Sequence, residues 1–247
     1  MRISVLIPAF NEEGNIRKTI DSYYEVLAGQ VEEFEVIVVN DGSVDGTAAM
    51  LNELAVLHPR LKVFHHPRNR GMGAAVRTAF GHARYEWIFI TCADLQFDAR
   101  EITNFFPFTD KADIITGYKT DTHDNVYRKI NTWVNGLLLC VLFGLTLRNP
   151  NWVKLMRRKV CDTLPISPRA KRLAGNRSPL GLPIEFDGFF WDSALLIKAR
   201  DRGYRFAEAP TTCYPRIWGR ATGSHPIRVF KTFLALLRFW VRYKTGI

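Results

Sequence analysis

Long apolar runs are missing from this chain of 247 residues. No stretch reaches the roughly 18–20 apolar residues that a bilayer-spanning helix needs, so no transmembrane helix is expected. Cysteine is scarce. Cys92, Cys140, Cys161 and Cys213 form no C-x-x-C pair, which argues against a zinc site and predicts reduced thiols. No secretory signal is expected: the apolar segment after Arg2 is cut short by Pro8, Asn11, Glu12 and Glu13. Internal repeats and low-complexity linkers are also absent. Acidic residues are in the minority, 24 against 34 Lys and Arg, giving a formal net charge of +10. Partners are therefore expected to be anionic: phosphates, acidic lipid or nucleic acid. Nucleic acid is set aside, because the basic residues are scattered and no base-reading motif is present. The hydrophobic fraction of 47% suffices for a buried core.

What is present is an alternation. Residues 3–7, 35–39, 61–64, 87–91 and 112–116 read as short apolar strands. Residues 13–27, 45–57, 71–84 and 98–106 read as helices between them, with Ser43 or Asp45 capping the second and Asp98 the last. Strands that are apolar throughout predict an α/β fold with a parallel sheet covered on both faces. Polar clusters follow the first four strands, where open α/β sheets bind ligands. Beyond residue 117 the alternation breaks. Residues 118–132 are polar and basic, 133–147 form an apolar helix candidate, and 165–188 suggest an irregular loop. A helix is expected over 189–202 and short strands over 204–208 and 211–214. A basic amphipathic helix should begin near Pro226. The segments 133–147 and 229–243 are too short or too charged to span a membrane but suit an interface. A buried core helix is the other reading of 133–147.

Four clusters carry the chemistry: Ile7-Pro8-Ala9-Phe10-Asn11-Glu12-Glu13, Val39-Asn40-Asp41-Gly42-Ser43-Val44-Asp45-Gly46-Thr47, Asn69-Arg70-Gly71-Met72-Gly73-Ala74-Ala75-Val76-Arg77 and Ala93-Asp94-Leu95-Gln96. In order and spacing they resemble family 2 glycosyltransferases of the GT-A fold. Within that family the chain looks most like the polyprenyl-phosphate sugar transferases of the dolichyl-phosphate mannosyltransferase type. The resemblance is strong over residues 1–117 and continues, more weakly, to about residue 225.

The resemblance implies a Rossmann-like sheet and a nucleotide-sugar donor site. Its donor-binding residues would be Pro8, Phe10, Asn11, Glu12, Asp41, Gly42, Ser43, Gly71, Gly73, Arg77, Ala93, Asp94 and Arg216. Pro8 and Phe10 would wall the slot and Asp41 would meet the base. A turn-forming Asp is the plainer reading of Asp41. Gly71 and Gly73 open a helix, where backbone N–H groups and the helix dipole favour a diphosphate. Asp94 and Gln96 form the implied corner for Mg²⁺ or Mn²⁺, an oxygen-ligand site. Asp94, Asp192 and Arg128 are the implied catalytic residues, and Lys119, Arg128 and Thr132 would hold an acceptor phosphate. Arg216, Gly219, Arg220 and Thr222 resemble the family's donor-closing loop.

Three positions depart from the family pattern. Cys92 replaces the first aspartate of the metal motif, which lowers the expected metal affinity. Met72 replaces a frequent lysine, and Asn149 an acid. The implied activity is an inverting transfer from a GDP- or UDP-sugar to polyprenyl phosphate. It would occur on the inner, cytoplasmic membrane face, with a second copy or a membrane subunit as possible partners. A hydroxyl acceptor, with Asp192 as base, is the alternative; a non-catalytic nucleotide-sugar binder is the third. Residues 1–117 would form the donor half, 118–225 the acceptor half of the same domain, and 226–247 the basic terminal helix.

Overall fold

The computed structural model describes residues 1–122, 126–163, 190–219 and 226–245. Its strands are β1 (Arg2–Ala9), β2 (Glu33–Asn40), β3 (Leu61–His65), β4 (Trp87–Ile90), β5 (Ile114–Thr122), β6 (Lys154–Arg157) and β7 (Phe206–Cys213). They form one sheet in the order β3-β2-β1-β4-β6-β5-β7. Pairing is parallel from β3 through β4, and again between β5 and β7. β6 runs antiparallel to both β4 and β5. The helices are α1 (Ile16–Leu27), α2 (Thr47–Leu57), α3 (Met72–His82), α4 (Val126–Phe143), α5 (Arg158–Thr163), α6 (Trp191–Asp201) and α7 (Pro226–Thr245), with a 3-10 helix at Ala99–Phe108.

Alternation along each strand divides two cores. Leu6, Ile37 and Val39 meet Ala75, Val76 and Phe80 of α3 on one face. Val5, Ile7, Val36 and Val38 meet Ile16 and Ile20 of α1 and Leu51 and Leu54 of α2 on the other. With both faces covered, these strands have no polar side to declare, which is why they read as unbroken apolar runs.

Several boundaries differ from the sequence reading. The strands expected at 204–208 and 211–214 are one continuous strand, β7, because pairing with β5 carries through Pro210. β6 has no counterpart among the expected elements. The helix expected at 98–106 is a 3-10 helix capped by Asp98, whose Oδ1 accepts a bond from Arg100 N at 2.9 Å. α4 begins earlier, inside the basic segment, and stops before Gly144, which takes φ +69 and donates to Cys140 O at 2.7 Å. Leu139 and Phe143 of α4 are in the core, while Val126, Ile130, Trp133, Leu137 and Val141 are exposed. The helix is thus buried on one stripe and bare on another.

The parallel strands β1, β2 and β4 end together, at Ala9, Asn40 and Ile90. The order reverses at β1, which pairs with β2 on one side and with β4 on the other. That switch point collects the polar clusters.

Candidate active site

The loop after β4 turns through Leu95 at φ 57, a left-handed conformation unusual for a leucine. The turn lets Asp94 Oδ1 accept from Gln96 N at 3.2 Å. Gln96 is tied to the segment after β7: Tyr214 N donates to Gln96 O at 2.9 Å, and Gln96 Nε2 donates to Tyr214 O at 3.2 Å. Two residues on, Arg216 reaches back into the corner. Its Nη2 lies 2.5 Å from Asp94 Oδ2 and its Nη1 lies 3.1 Å from Glu12 Oε1. Trp218 closes the same segment over Gly14, where a Cβ would stand 2.4 Å from the indole. Gly219 follows at φ +81. Arg220 and Thr222, the rest of the implied loop, lie outside the described residues.

Glu12 is held by Asn15 Nδ2 at 2.6 Å. Burial pushes the Glu12 carboxyl above its ordinary value; the Asn15 bond and the Arg216 charge oppose the rise, and Asp94 adds to it. Desolvation also pushes the Cys92 thiol far up, helped by the Asp94 charge, and a thiol is a poor partner for a hard cation in any case. The guanidinium between Asp94 and Glu12 stands in for a cation. Together with the Gln96 amide, the donor set is oxygen only, which suits a hard divalent ion. Among the described residues, no group of three His, Cys, Asp or Glu side chains is placed to hold one unaided.

The first two loops are stitched together. Asn11, at φ 57, donates its N–H to Ser43 Oγ at 2.9 Å and accepts from Val44 N at 2.9 Å. Ser43 therefore braces the first loop and does not cap α2. Asp45 is not the cap residue either: the cap is Gly46, with no side-chain cap bond, and Asp45 Oδ1 accepts from Thr47 N at 3.0 Å from one residue further back. Gly42, at φ +70, passes so close to the third loop that a Cβ would lie 2.3 Å from Arg68 C. Pro8 and Phe10 are partly buried, and Ala93 is buried.

Asp41 does not bond its own turn. Its carboxylate crosses to the third loop, accepting from Arg70 N at 3.0 Å and Gly71 N at 2.8 Å. His66 Nδ1 lies 2.6 Å from Asp41 Oδ1, and His66 Nε2 lies 2.9 Å from Thr78 Oγ1. Burial alone would raise the Asp41 carboxyl. The bonds from His66, Arg70 N and Gly71 N more than offset it and hold the group below its ordinary range. Gly71 has φ +95 and opens α3; Gly73 is buried on that helix and Arg77 partly buried.

Asp192 is buried at the start of α6, and Lys154 Nζ lies 2.6 Å from its Oδ2. Lys154 also donates to Trp152 O at 2.8 Å. Burial raises the Asp192 carboxyl, and the Lys154 charge opposes the rise. Asp192 Oδ1 has no partner among the described residues. β6 pairs Lys154 with Ile90, two residues before Cys92, and the Lys154 charge is felt at that thiol. The buried pair thus abuts the Asp94 corner. Sequence reasoning named Asp192 and missed Lys154.

Beside Lys119 of β5, a cleft of about 520 Å³ brings together Lys119, Lys129, Thr132, Arg148 and Asn149 with the apolar Trp133, Leu137 and Leu147. Lys119 Nζ lies 4.4 Å from the centre of the Trp152 ring, and Lys119 N donates to Asn149 Oδ1 at 2.8 Å. Arg128 is part of α4, but its side chain lies outside the described residues. Lys129 belongs with Lys119 and Arg128 to the basic residues that the sequence places before Thr132. Arg148 was not singled out in the sequence, and only its position around the cleft marks it.

Known proteins are similar to this chain in sequence and in fold. Residues 4–164 match the model of the family described as Glycosyl transferase family 2. Dolichyl-phosphate beta-glucosyltransferase ALG5C of Trichomonas vaginalis is 40% identical over 94 residues, 36% of this chain. Glycosyltransferase AglD of Haloferax volcanii is 27% identical over 220 residues, 87% of this chain. The chain spans only 28% and 34% of the lengths of these two relatives. In fold it is similar to glucosyl-3-phosphoglycerate synthase from Mycobacterium tuberculosis, solved with Mn²⁺, UDP and glucosyl-3-phosphoglycerate. The TM-score is 0.71 over 96% of this chain and 79% of that one, at 19% identity, a likeness of fold alone.

Proposed function

The chain belongs to glycosyl transferase family 2, and on that premise we propose that it transfers a sugar from a GDP- or UDP-sugar to a polyprenyl phosphate at a membrane surface. The observation that carries the acceptor reading is the cleft beside α4. Lys119, Lys129 and Arg148 supply positive charge, Thr132 a hydroxyl, and Trp133, Leu137 and Leu147 an apolar wall. An anionic head on an apolar tail needs both. Arg128, one turn before Thr132, belongs to the same proposed phosphate site.

Residues 1–117 make the donor half and 118–225 the acceptor half. In the donor half, Pro8 and Phe10 wall the nucleoside slot and Asp41 meets the base. Asn11, Gly42, Ser43 and Ala93 shape the slot's backbone. Gly71 and Gly73 present the N-terminus of α3 to the diphosphate, with Arg77 adding charge. Arg216, held between Glu12 and Asp94, shifts to the phosphates when the donor arrives. Asp94 and Gln96 would then hold Mg²⁺ or Mn²⁺, which neutralises charge building on the leaving nucleoside diphosphate. The lipid phosphate oxygen attacks the anomeric carbon opposite the leaving group. The new C–O bond forms as the bond to the diphosphate breaks, inverting the centre.

A phosphate oxygen is already anionic, so this transfer needs no strong base. A hydroxyl acceptor would need one. Asp192 is the carboxylate nearest that role, yet it is buried against Lys154. We therefore assign Asp192 to holding Lys154 beside the Asp94 corner. The test supplies purified protein with polyprenyl phosphate, Mg²⁺ and a panel of GDP- and UDP-sugars, and reads lipid-linked sugar by mass spectrometry. A lipid product lost in Asp94→Asn is expected. Transfer to hydroxyl acceptors alone would overturn the lipid-phosphate reading, and donor binding without any transfer would leave a non-catalytic binder.

A further inference from the structure

The hydrogen bonds around Asp41 fix how many donors a base can bring to it. An ionised carboxylate offers about four acceptor positions, two on each oxygen. Oδ1 accepts from His66 Nδ1 and from Arg70 N, so it is full. Oδ2 accepts from Gly71 N and keeps one position. The His66 arrangement is determined from both ends. Its Nδ1 faces a carboxylate and so carries a proton; its Nε2 faces the Thr78 hydroxyl, which can donate to it. His66 is 8% exposed and Asp41 is 3% exposed, so water does not readily replace a lost partner.

Guanine presents two adjacent donors, N1–H and N2–H, and pairs with a carboxylate through both oxygens. Uracil presents one, N3–H, between two carbonyls. A carboxylate with one oxygen full and one position left matches the single donor. We propose that His66, by saturating Oδ1 of Asp41, selects a uracil-bearing donor over a guanine-bearing one. His66 acts through Asp41 and is a positioning residue. The inference rests on Asp41 meeting the donor base, and it narrows the GDP- or UDP-sugar reading to uridine.

Leaving a buried donor unsatisfied weakens binding by about tenfold to a hundredfold. Titration calorimetry of the whole chain with UDP and with GDP, in Mg²⁺, should therefore give UDP the tighter Kd by about tenfold or more. His66→Ala frees a position on Oδ1, and the UDP-to-GDP ratio should fall at least about threefold, whereas His66→Asn keeps an N–H near Nδ1 and should preserve it. A purely structural histidine would weaken both nucleotides together and leave the ratio alone, which would overturn the role of His66. GDP binding as tightly as UDP to the wild type would overturn the base choice and leave the nucleotide-sugar reading standing. Binding of neither nucleotide would overturn that reading and the inference with it. The wild-type ratio decides the base choice even if His66→Ala fails to fold.

Discussion

At residue 92 a thiol occupies a place where its neighbours are charged. Asp94, Glu12, Arg216 and Lys154 all act on Cys92, and desolvation pushes its thiol up. A thiol adds little to the hold on a hard cation, so a metal at this corner would lean on Asp94, Gln96 and the donor's own phosphates. Arg216 meanwhile competes for Asp94 Oδ2 at 2.5 Å. Cys92→Asp restores a second carboxylate. We expect the Mg²⁺ concentration for half-maximal transfer to fall by about tenfold, as added ligand charge tightens hard-cation sites. A titration of activity against Mg²⁺ reads this directly. An unchanged midpoint would mean that residue 92 does not face the ion.

At the scale of elements, the short strand β6 matters more than its four residues suggest. Its antiparallel seat between β4 and β5 sets Lys154 opposite Ile90 and under α6, where Asp192 waits. Side-chain exposures of 1% and 6% make this a buried ion pair. Removing one partner from such a pair costs about 3–5 kcal/mol, because a charge is left buried alone. Lys154→Met should show that loss in urea unfolding, and Lys154→Met with Asp192→Leu should recover most of it. A single-variant loss under about 1 kcal/mol would mean that Asp192 finds another partner or sheds its charge. This strand also marks where the sequence stopped being legible. The loops after β1, β2 and β4 could be read because each follows a strand buried on both faces, and the glycines and acids there have local reasons to exist. Lys-Leu-Met-Arg has no alternation, and its role comes from partners far along the chain. The bonds from Arg216 to Glu12 and Asp94 span 204 and 122 residues, and no local pattern encodes them. Asp41 was legible as a site residue, but the His66–Thr78 support was not, since a histidine after an edge strand carries no signal of its own.

At the scale of the whole molecule, two helices carry bare apolar side chains together with exposed cations. α4 leaves Val126, Ile130, Trp133, Leu137 and Val141 exposed, and α7 leaves Ile227, Phe230, Phe233 and Val241 exposed. The helices touch through Phe143, whose ring centre is 5.7 Å from that of Phe239 and 5.5 Å from that of Tyr243. Exposed cations stand on both: Lys129 on α4, and Lys231, Arg238, Arg242 and Lys244 on α7. Among the described residues no helix is long and apolar enough to cross a membrane. Apolar side chains flanked by cations instead suit the plane of an anionic lipid surface, where each basic residue near the surface contributes about 1 kcal/mol. The acceptor cleft shares Lys129, Trp133 and Leu137 with that face, so docking would bring a lipid phosphate to the cleft without a diffusive step through water. Sedimentation with vesicles should show binding to anionic and not to neutral lipid, weakening as salt rises and the Debye length shortens. Phe230→Glu together with Trp133→Glu should abolish vesicle binding and lower transfer to membrane-embedded acceptor. Transfer to a short, water-soluble prenyl phosphate should fall much less in Phe230→Glu alone, because Phe230 does not line the cleft. Equal loss on both acceptors would mean that the exposed ridge serves the catalytic fold and not the membrane.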